Sequence, residues 1–202
     1  MKFILISSEN LPLEYETHIV NKLFEIGLKN FHLRKPNVDI EFYKNYLNKI
    51  NSKFHSKIVI HDYYELMNEY NLKGIHFNKR NFIKYYSYLS NSYQKSISCH
   101  SFEEIEKFQK FNFDYLFISP IFNSISKENY SSNYNIDYYS NKLKSRNYNN
   151  IIALGGITFD KISLLKDAGF LGIAVLGDIW KNSVDKFEKL QTKFLKYKQL
   201  CN

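Results

Sequence analysis

The sequence predicts an α/β protein, a single-domain (β/α)₈ TIM barrel over residues 1–202. Three observations carry this reading. Short β-branched or aromatic runs alternate with helical patterns some eight times; the connections are short throughout; and no compositional break divides the 202 residues. An open doubly wound sheet is the alternative. It would ordinarily carry fewer strands and a glycine-rich turn after the first one, whereas Ser7-Ser8-Glu9-Asn10 contains no glycine.

Lys2 to Ser7 reads as the first strand, and Leu13 to Ile26 spaces Ile19, Leu23, Phe24 and Ile26 along one helical face that Gly27 can close. Phe31 to Arg34 is strand-like until Pro36, and Ile40 to Ile50 repeats helical spacing through Tyr43, Tyr46 and Leu47. Lys57 to Ile60 is a third strand, followed by a helix over Tyr64 to Tyr70 with Leu66 and Met67 inward. Gly74 to Phe77 is the fourth strand, with a weaker helix over Phe82 to Leu89. Lys95 to Cys99 is the fifth, and Ser101-Phe-Glu-Glu104 has the form of a capping box, in which the serine accepts from an orphan amide and the glutamate reaches back. Tyr115 to Ile118 is a buried run halted at Pro120, with a polar loop and a helix from Ile136 to Leu143 after it. Ile151 to Leu154 leads into a helix from Thr158 to Ala168 closed by Gly169. Leu171 to Leu176 is the eighth strand, and Asp178 to Leu195 reads as one long amphipathic helix.

The composition excludes more than it assigns. A formal charge of +8 would suit an anionic partner, but the lysines are dispersed and no RNA-binding signature or zinc-ligand spacing accompanies them, so no nucleic-acid partner is expected. No stretch approaches the ~20 apolar residues of a membrane span, and Met1-Lys-Phe-Ile-Leu-Ile6 is too short for a signal peptide; the expected location is cytoplasmic, without a membrane partner. Cys99 and Cys201 form no framework and read as reduced thiols. Helix aromatics could cover a homo-oligomeric face, which the sequence leaves open.

In such a barrel the C-terminal strand ends share one mouth. His32 and Arg34 close the second strand, His61 and Asp62 the third, His76 the fourth, Ser98 and His100 the fifth, and Ser124, Ser126 and Lys127 follow the sixth. Four of the six histidines thus fall at consecutive strand ends. His18 and His55 lie elsewhere and are expected at the surface. Gly155-Gly156 and Leu176-Gly177 put glycines after the last two strands, where backbone amides can approach a ligand.

These residues resemble the thiamine phosphate synthase and TenI family. The resemblance runs from about Ile26 to Trp180 and is most specific in Asp114-Tyr-x-x-x-x-Pro-Ile-Phe-x-Ser-x-Ser-Lys127, Ala153-Leu-Gly-Gly-Ile157 and Gly172-Ile-Ala-Val175. It implies a transferase of thiamine biosynthesis that joins an aminopyrimidine diphosphate to a thiazole phosphate. Diphosphate departure would leave a stabilised pyrimidine cation that the thiazole nitrogen captures, with Mg²⁺ and cationic side chains clamping the leaving group. Arg34, Lys127, His61 and Ser98 are the implied catalytic set. Substrate binding falls to His32, Lys35, Ser124, Ser126, Gly155, Gly156, Leu176 and Gly177, and the metal positions to Asp62 and Asn81. The expected partners are the two small phosphorylated substrates.

The chain departs from the family pattern at three places. His32-Leu33-Arg34-Lys35-Pro36 stands where synthases have Gln-x-Arg-x-Lys, so Lys35 is expected to supply the charge lost at Pro36, provided the proline turns it inward. His61-Asp62 replaces Asn-Asp. Asn81 stands where the second magnesium carboxylate belongs, with Lys79 and Arg80 beside it. Two alternatives follow. One is a TenI-like thiazole phosphate tautomerase using His32, His61 or His100 as proton carrier, although Pro120 occupies the position of the tautomerase histidine. The other is a barrel that binds a phosphate ligand without turnover.

Overall fold

The structure is a computed structural model that describes residues 1–123, 135–181 and 187–202. Eight parallel strands close into a barrel in sequence order: β1 Lys2–Ile6, β2 Phe31–Leu33, β3 Ile58–Ile60, β4 Gly74–Phe77, β5 Gln94–Cys99, β6 Tyr115–Ile118, β7 Ile151–Leu154 and β8 Gly172–Val175. β8 returns to β1 through the register Phe3 to Ile173 and Leu5 to Val175. All eight expected strands are present, and with them the single-domain (β/α)₈ TIM barrel.

The helices are α1 Leu13–Glu25, α2 Ile40–Lys49, α3 Leu66–Glu69, α4 Phe102–Gln109, α5 Ile136–Ser145, α6 Ile162–Ala168, α7 Gly177–Trp180 and α8 Phe187–Cys201. Local signals explain several boundaries. The Ser101 side chain accepts from the Glu104 amide, while Glu104 reaches back to the His100 amide, the reciprocal pattern of a capping box displaced by one residue on its return arm. Asp39 and Asn135 cap α2 and α5 in the same manner. Gly169 ends α6 in the left-handed region at φ 98°.

Two expected helices are corrected. The Phe82–Leu89 segment contains no α-helix; a short 3₁₀ turn over Tyr86–Ser90 replaces it. Phe82 still packs against Phe77, Phe108 and Phe111, and its aromatic spacing serves that cluster without completing a helical face. The final long helix is two pieces, α7 and α8. Ile179 and Trp180 are buried, and the Trp180 indole donates to the Ile6 carbonyl at 2.7 Å, which anchors α7 against β1.

Strand alternation sorts the side chains. Leu5, Phe31, Leu33, Ile58, Ile60, Ile75, Phe77, Ile97, Cys99, Leu116 and Ile173 belong to the large core shared by the sheet and its helices. Ile4, Ile6, Tyr115, Phe117, Ile152 and Ala174 form a separate apolar cluster in the barrel interior. The interior is chemically divided: His32, His76 and Ser96, which are also buried, occupy the inward positions of β2, β4 and β5. Among the described residues no helix is long and apolar enough to cross a membrane.

Candidate active site

The barrel's periodicity of two fixes which side chains reach the mouth. His32 points inward on β2, so Arg34 does too; the same step carries β3 to His61, β4 from His76 to Asn78, and β5 from Ser96 to Ser98 and His100. All of these except His32 and Ser96 line one cavity of about 430 Å³, together with Leu154, Gly155 and Gly156 beyond β7 and Leu176 and Gly177 beyond β8. Residues separated by more than a hundred positions thus converge at one rim. Ser124, Ser126 and Lys127 lie outside the described residues.

The off-phase residues go elsewhere, and this overturns the role expected of Lys35. Its side chain leaves the barrel outward and is buried in an ion pair with Glu16 of α1, beside the Ser8 carbonyl. Glu16 also accepts from the Ser8 amide at 2.8 Å. Pro36 does not turn this lysine into the mouth, so Lys35 supplies no charge there.

Asn81 is corrected too. Its amide nitrogen donates to the His61 carbonyl at 3.2 Å and to the Tyr64 hydroxyl at 3.1 Å, while its oxygen accepts from the Asn78 amide at 2.8 Å. The side chain pins the turn after β4 and is spent on that task. Asp62 differs: among the described residues nothing hydrogen-bonds or ion-pairs with its carboxylate. Partial burial pushes its pKa upward, with Arg34 opposing the shift. Mg²⁺ commonly takes one or two carboxylates and fills its remaining octahedral positions with water and substrate phosphate oxygens. Asp62 does not itself line the cavity, but its carboxylate lies close enough to Arg34 to feel its charge and is available for such a role, whereas the Asn81 side chain is not.

Arg34 is fixed through its backbone, whose amide and carbonyl both hydrogen-bond the Ser7 hydroxyl. Its guanidinium pairs with Glu9 at the rim. Lys79, which pairs with Glu104 at 3.1 Å, and Arg80 also line the cavity. Among the described residues the Arg80 side chain has no acidic partner. The sequence marked Lys79 and Arg80 only as neighbours of Asn81; their position immediately after a strand end was the available signal that they face the mouth.

The Arg34–Glu9 pair yields a testable expectation. Glu9→Gln should tighten the binding of inorganic diphosphate roughly two- to fivefold, the worth of an exposed ion pair that a ligand must otherwise displace. Titration calorimetry at low ionic strength measures this directly. Unchanged or weaker affinity would remove Arg34 from the list of anion ligands.

The glycines after β7 have a packing task besides the one expected. Gly155 and Gly156 adopt φ values of 97° and 64°. A Cβ on Gly156 would lie 2.4 Å from the Asn123 carbonyl oxygen, and one on Gly155 would lie 3.0 Å from Pro120 Cα. Their missing side chains admit the backbone after β6, which continues to pair through Ile121 N–H to Leu154 O and Phe122 N–H to Gly155 O. They line the cavity while holding this neighbouring loop against it.

At the cavity floor three histidines meet. His32 Nδ1 lies 3.0 Å from His61 Nε2, and the His61 and His76 rings stack with centroids 4.2 Å apart. His32 Nε2 lies 2.7 Å from the Tyr115 hydroxyl; His76 Nδ1 and Nε2 lie 2.8 and 2.7 Å from the Ser96 and Ser98 hydroxyls. Burial, followed by mutual repulsion, holds His32 and His61 well below the usual histidine range, and burial lowers His76 to about 3. The rings are neutral near pH 7. His100 sits at the rim with Nδ1 3.0 Å from the Ser119 carbonyl. His18 is exposed as expected, but His55 is buried and hydrogen-bonds the Leu47, Ile50 and Tyr70 carbonyls, tying α2 to the turn after α3.

The class these features define is a (β/α)₈ barrel with a mouth-side cavity carrying arginines, a serine hydroxyl and glycine turns from separate strand ends. Residues 3–179 match the family described as thiamine monophosphate synthase, TMP-TENI, and the chain belongs to that family. The match begins earlier than the motifs at Ile26 suggested and takes in β1. A thiamine phosphate pyrophosphorylase from Bacteroides thetaiotaomicron is 34% identical, with a TM-score of 0.84 over 99% of this chain and 97% of that one. A second such structure, from Pyrococcus furiosus, is 16% identical with a TM-score of 0.78, covering 99% and 95%, and shows the shared fold. No curated protein matches the chain. Family and neighbours support a function of the thiamine-synthesis kind.

Proposed function

We propose that this chain is a cytoplasmic thiamine phosphate synthase, a transferase that joins an aminopyrimidine diphosphate to a thiazole phosphate and releases diphosphate. The observation that carries this reading is the meeting of Arg34 and Arg80 with Ser98 in one cavity, on a member of the thiamine monophosphate synthase family.

The pyrimidine methylene–oxygen bond breaks heterolytically, its electron pair leaving with diphosphate, and the thiazole nitrogen donates the pair that forms the new carbon–nitrogen bond. Arg34 and Arg80, which line the same cavity, neutralise charge developing on the departing oxygens. Fixed cations aimed at that charge favour the transition state over the ground state. Ser98, held through its hydroxyl by His76, adds a polar contact in the same cavity. Mg²⁺ held by Asp62 and the substrate's own diphosphate oxygens would supply further neutralisation. His61, neutral and at the cavity floor, offers its ring face and free edge to the pyrimidine.

The tautomerase alternative asks a histidine to exchange protons near neutrality. The depressed pKa values of His32 and His61 weigh against that role.

A coupling assay with both phosphorylated precursors, with and without Mg²⁺, tests the proposal. Arg34→Ala should lower turnover by about 10²–10³-fold, the usual effect of removing one charge-stabilising donor. Asp62→Ala should abolish the response to Mg²⁺. Absence of thiamine phosphate from the unmodified protein under magnesium saturation would overturn it.

A further inference from the structure

We propose that His32, His61 and His76 form a binding site for one transition-metal dication of the Zn²⁺ type, with its fourth coordination position open to the cavity. This does not rest on the proposed transferase reaction, whose hard cation would belong to Asp62.

The three rings come from three adjacent strands, all three are buried, and one ring nitrogen from each lies within 4.8 Å of the others. Zinc–imidazole bonds of about 2.0–2.1 Å in tetrahedral geometry place ligand nitrogens about 3.3 Å apart. His32 Nδ1 and His61 Nε2 are already separated by 3.0 Å. Bringing in His76 requires its ring, or that of His61, to turn out of their stack. His61 and His76 line the cavity, so an ion between the rings would face it.

The surrounding hydroxyls match what metal-bound histidines require. An imidazole that ligates through one nitrogen carries its proton on the other and normally donates it to a fixed acceptor. Here the Tyr115 hydroxyl stands at His32 Nε2, and the Ser96 and Ser98 hydroxyls stand at the two nitrogens of His76, so one serine would yield its nitrogen to the ion and the other remain as acceptor. The one proton now shared between His32 Nδ1 and His61 Nε2 needs only to move to the outer nitrogen of the ring that carries it, the other ring's proton being on its outer nitrogen already. Three imidazole nitrogens select zinc, cobalt, nickel or copper over Mg²⁺, and a vacant fourth position is the arrangement of a catalytic site as distinct from a closed structural one. The ion would bring positive charge near Arg34, so an anionic fourth ligand, hydroxide or a phosphate oxygen, completes the site from the cavity side.

Equilibrium dialysis of the chelator-stripped full chain against Zn²⁺ alone, followed by elemental analysis, tests the site. One tightly held ion per chain is expected, with affinity falling at least about 100-fold in His61→Asn and about 10–100-fold in Tyr115→Phe, which removes the acceptor for His32. Asp62→Asn should bind as the unmodified chain does. X-ray absorption at the zinc edge decides the ligands without any variant: three imidazoles at about 2.0–2.1 Å support the site. Substoichiometric zinc, a shell dominated by oxygen, or equal binding by a folded His32→Gln/His61→Asn variant would show that the three rings are only a hydrogen-bonded part of the barrel interior.

Discussion

Between about pH 7 and pH 5, the metal-free protein should lose on the order of 4 kcal/mol of unfolding free energy, well before ordinary carboxylates titrate. The sign follows from the buried trio. Desolvation, with repulsion among the rings, holds the folded-state pKa values of His32, His61 and His76 below the ordinary histidine value. The stabilisation is therefore complete above the unfolded value of about 6.5 and declines as pH falls below it, because the unfolded chain takes up protons first. Each such histidine contributes up to about 1.4 kcal/mol per pH unit in this window. Burial raises Glu16 and Asp62, which act in the opposite direction and reduce the total. Urea denaturation at a series of pH values, in the presence of a chelator, measures the slope. The His32→Gln/His61→Asn variant should retain roughly a third of it, and a flat profile in the unmodified chain would contradict the neutral-ring assignment.

Lys35→Met should destabilise the fold by about 3–5 kcal/mol while leaving diphosphate affinity unchanged. Lys35 and Glu16 have side chains only 5% and 0% exposed, so removing the ammonium strands a carboxylate against the core. In a chain of this size the loss corresponds to a fall of roughly 10 °C or more in Tm. Adding Glu16→Leu should recover most of it, since deleting both charges also removes both desolvation costs. Calorimetric unfolding together with diphosphate titration separates the two roles open to this lysine. A large loss of affinity with little change in Tm would return Lys35 to the mouth.

The same lysine shows what the sequence could convey about this molecule. The strand and helix order was legible because eight short apolar runs and their intervening helical patterns are local signals, and the (β/α)₈ closure follows from their number. Convergence of Arg34, His61 and Ser98 was legible as strand-end chemistry. Their phase was the finer signal: an odd offset from an inward residue sends Lys35 out to α1, and whether Pro36 would alter that depended on backbone geometry. Asn81 could not be read as a pin for the turn after β4, because its partners His61 and Tyr64 come from the preceding unit. The break after Trp180 was hidden by apolar spacing that continues across it, although Trp180 bonds to β1 on one side of the gap. Four histidines at successive strand ends were evident, but not that two would stack and a third would hydrogen-bond beneath them.

The polar half of the barrel interior has a consequence for how this protein can change. Each imidazole there meets a hydroxyl or another imidazole, so replacing one alone with an aliphatic residue strands its neighbour without a partner, whereas exchanging several together need not. His32, Tyr115, Ser96 and His76 should therefore be inherited or lost as a block, with single substitutions passing through a valley that the combined change avoids.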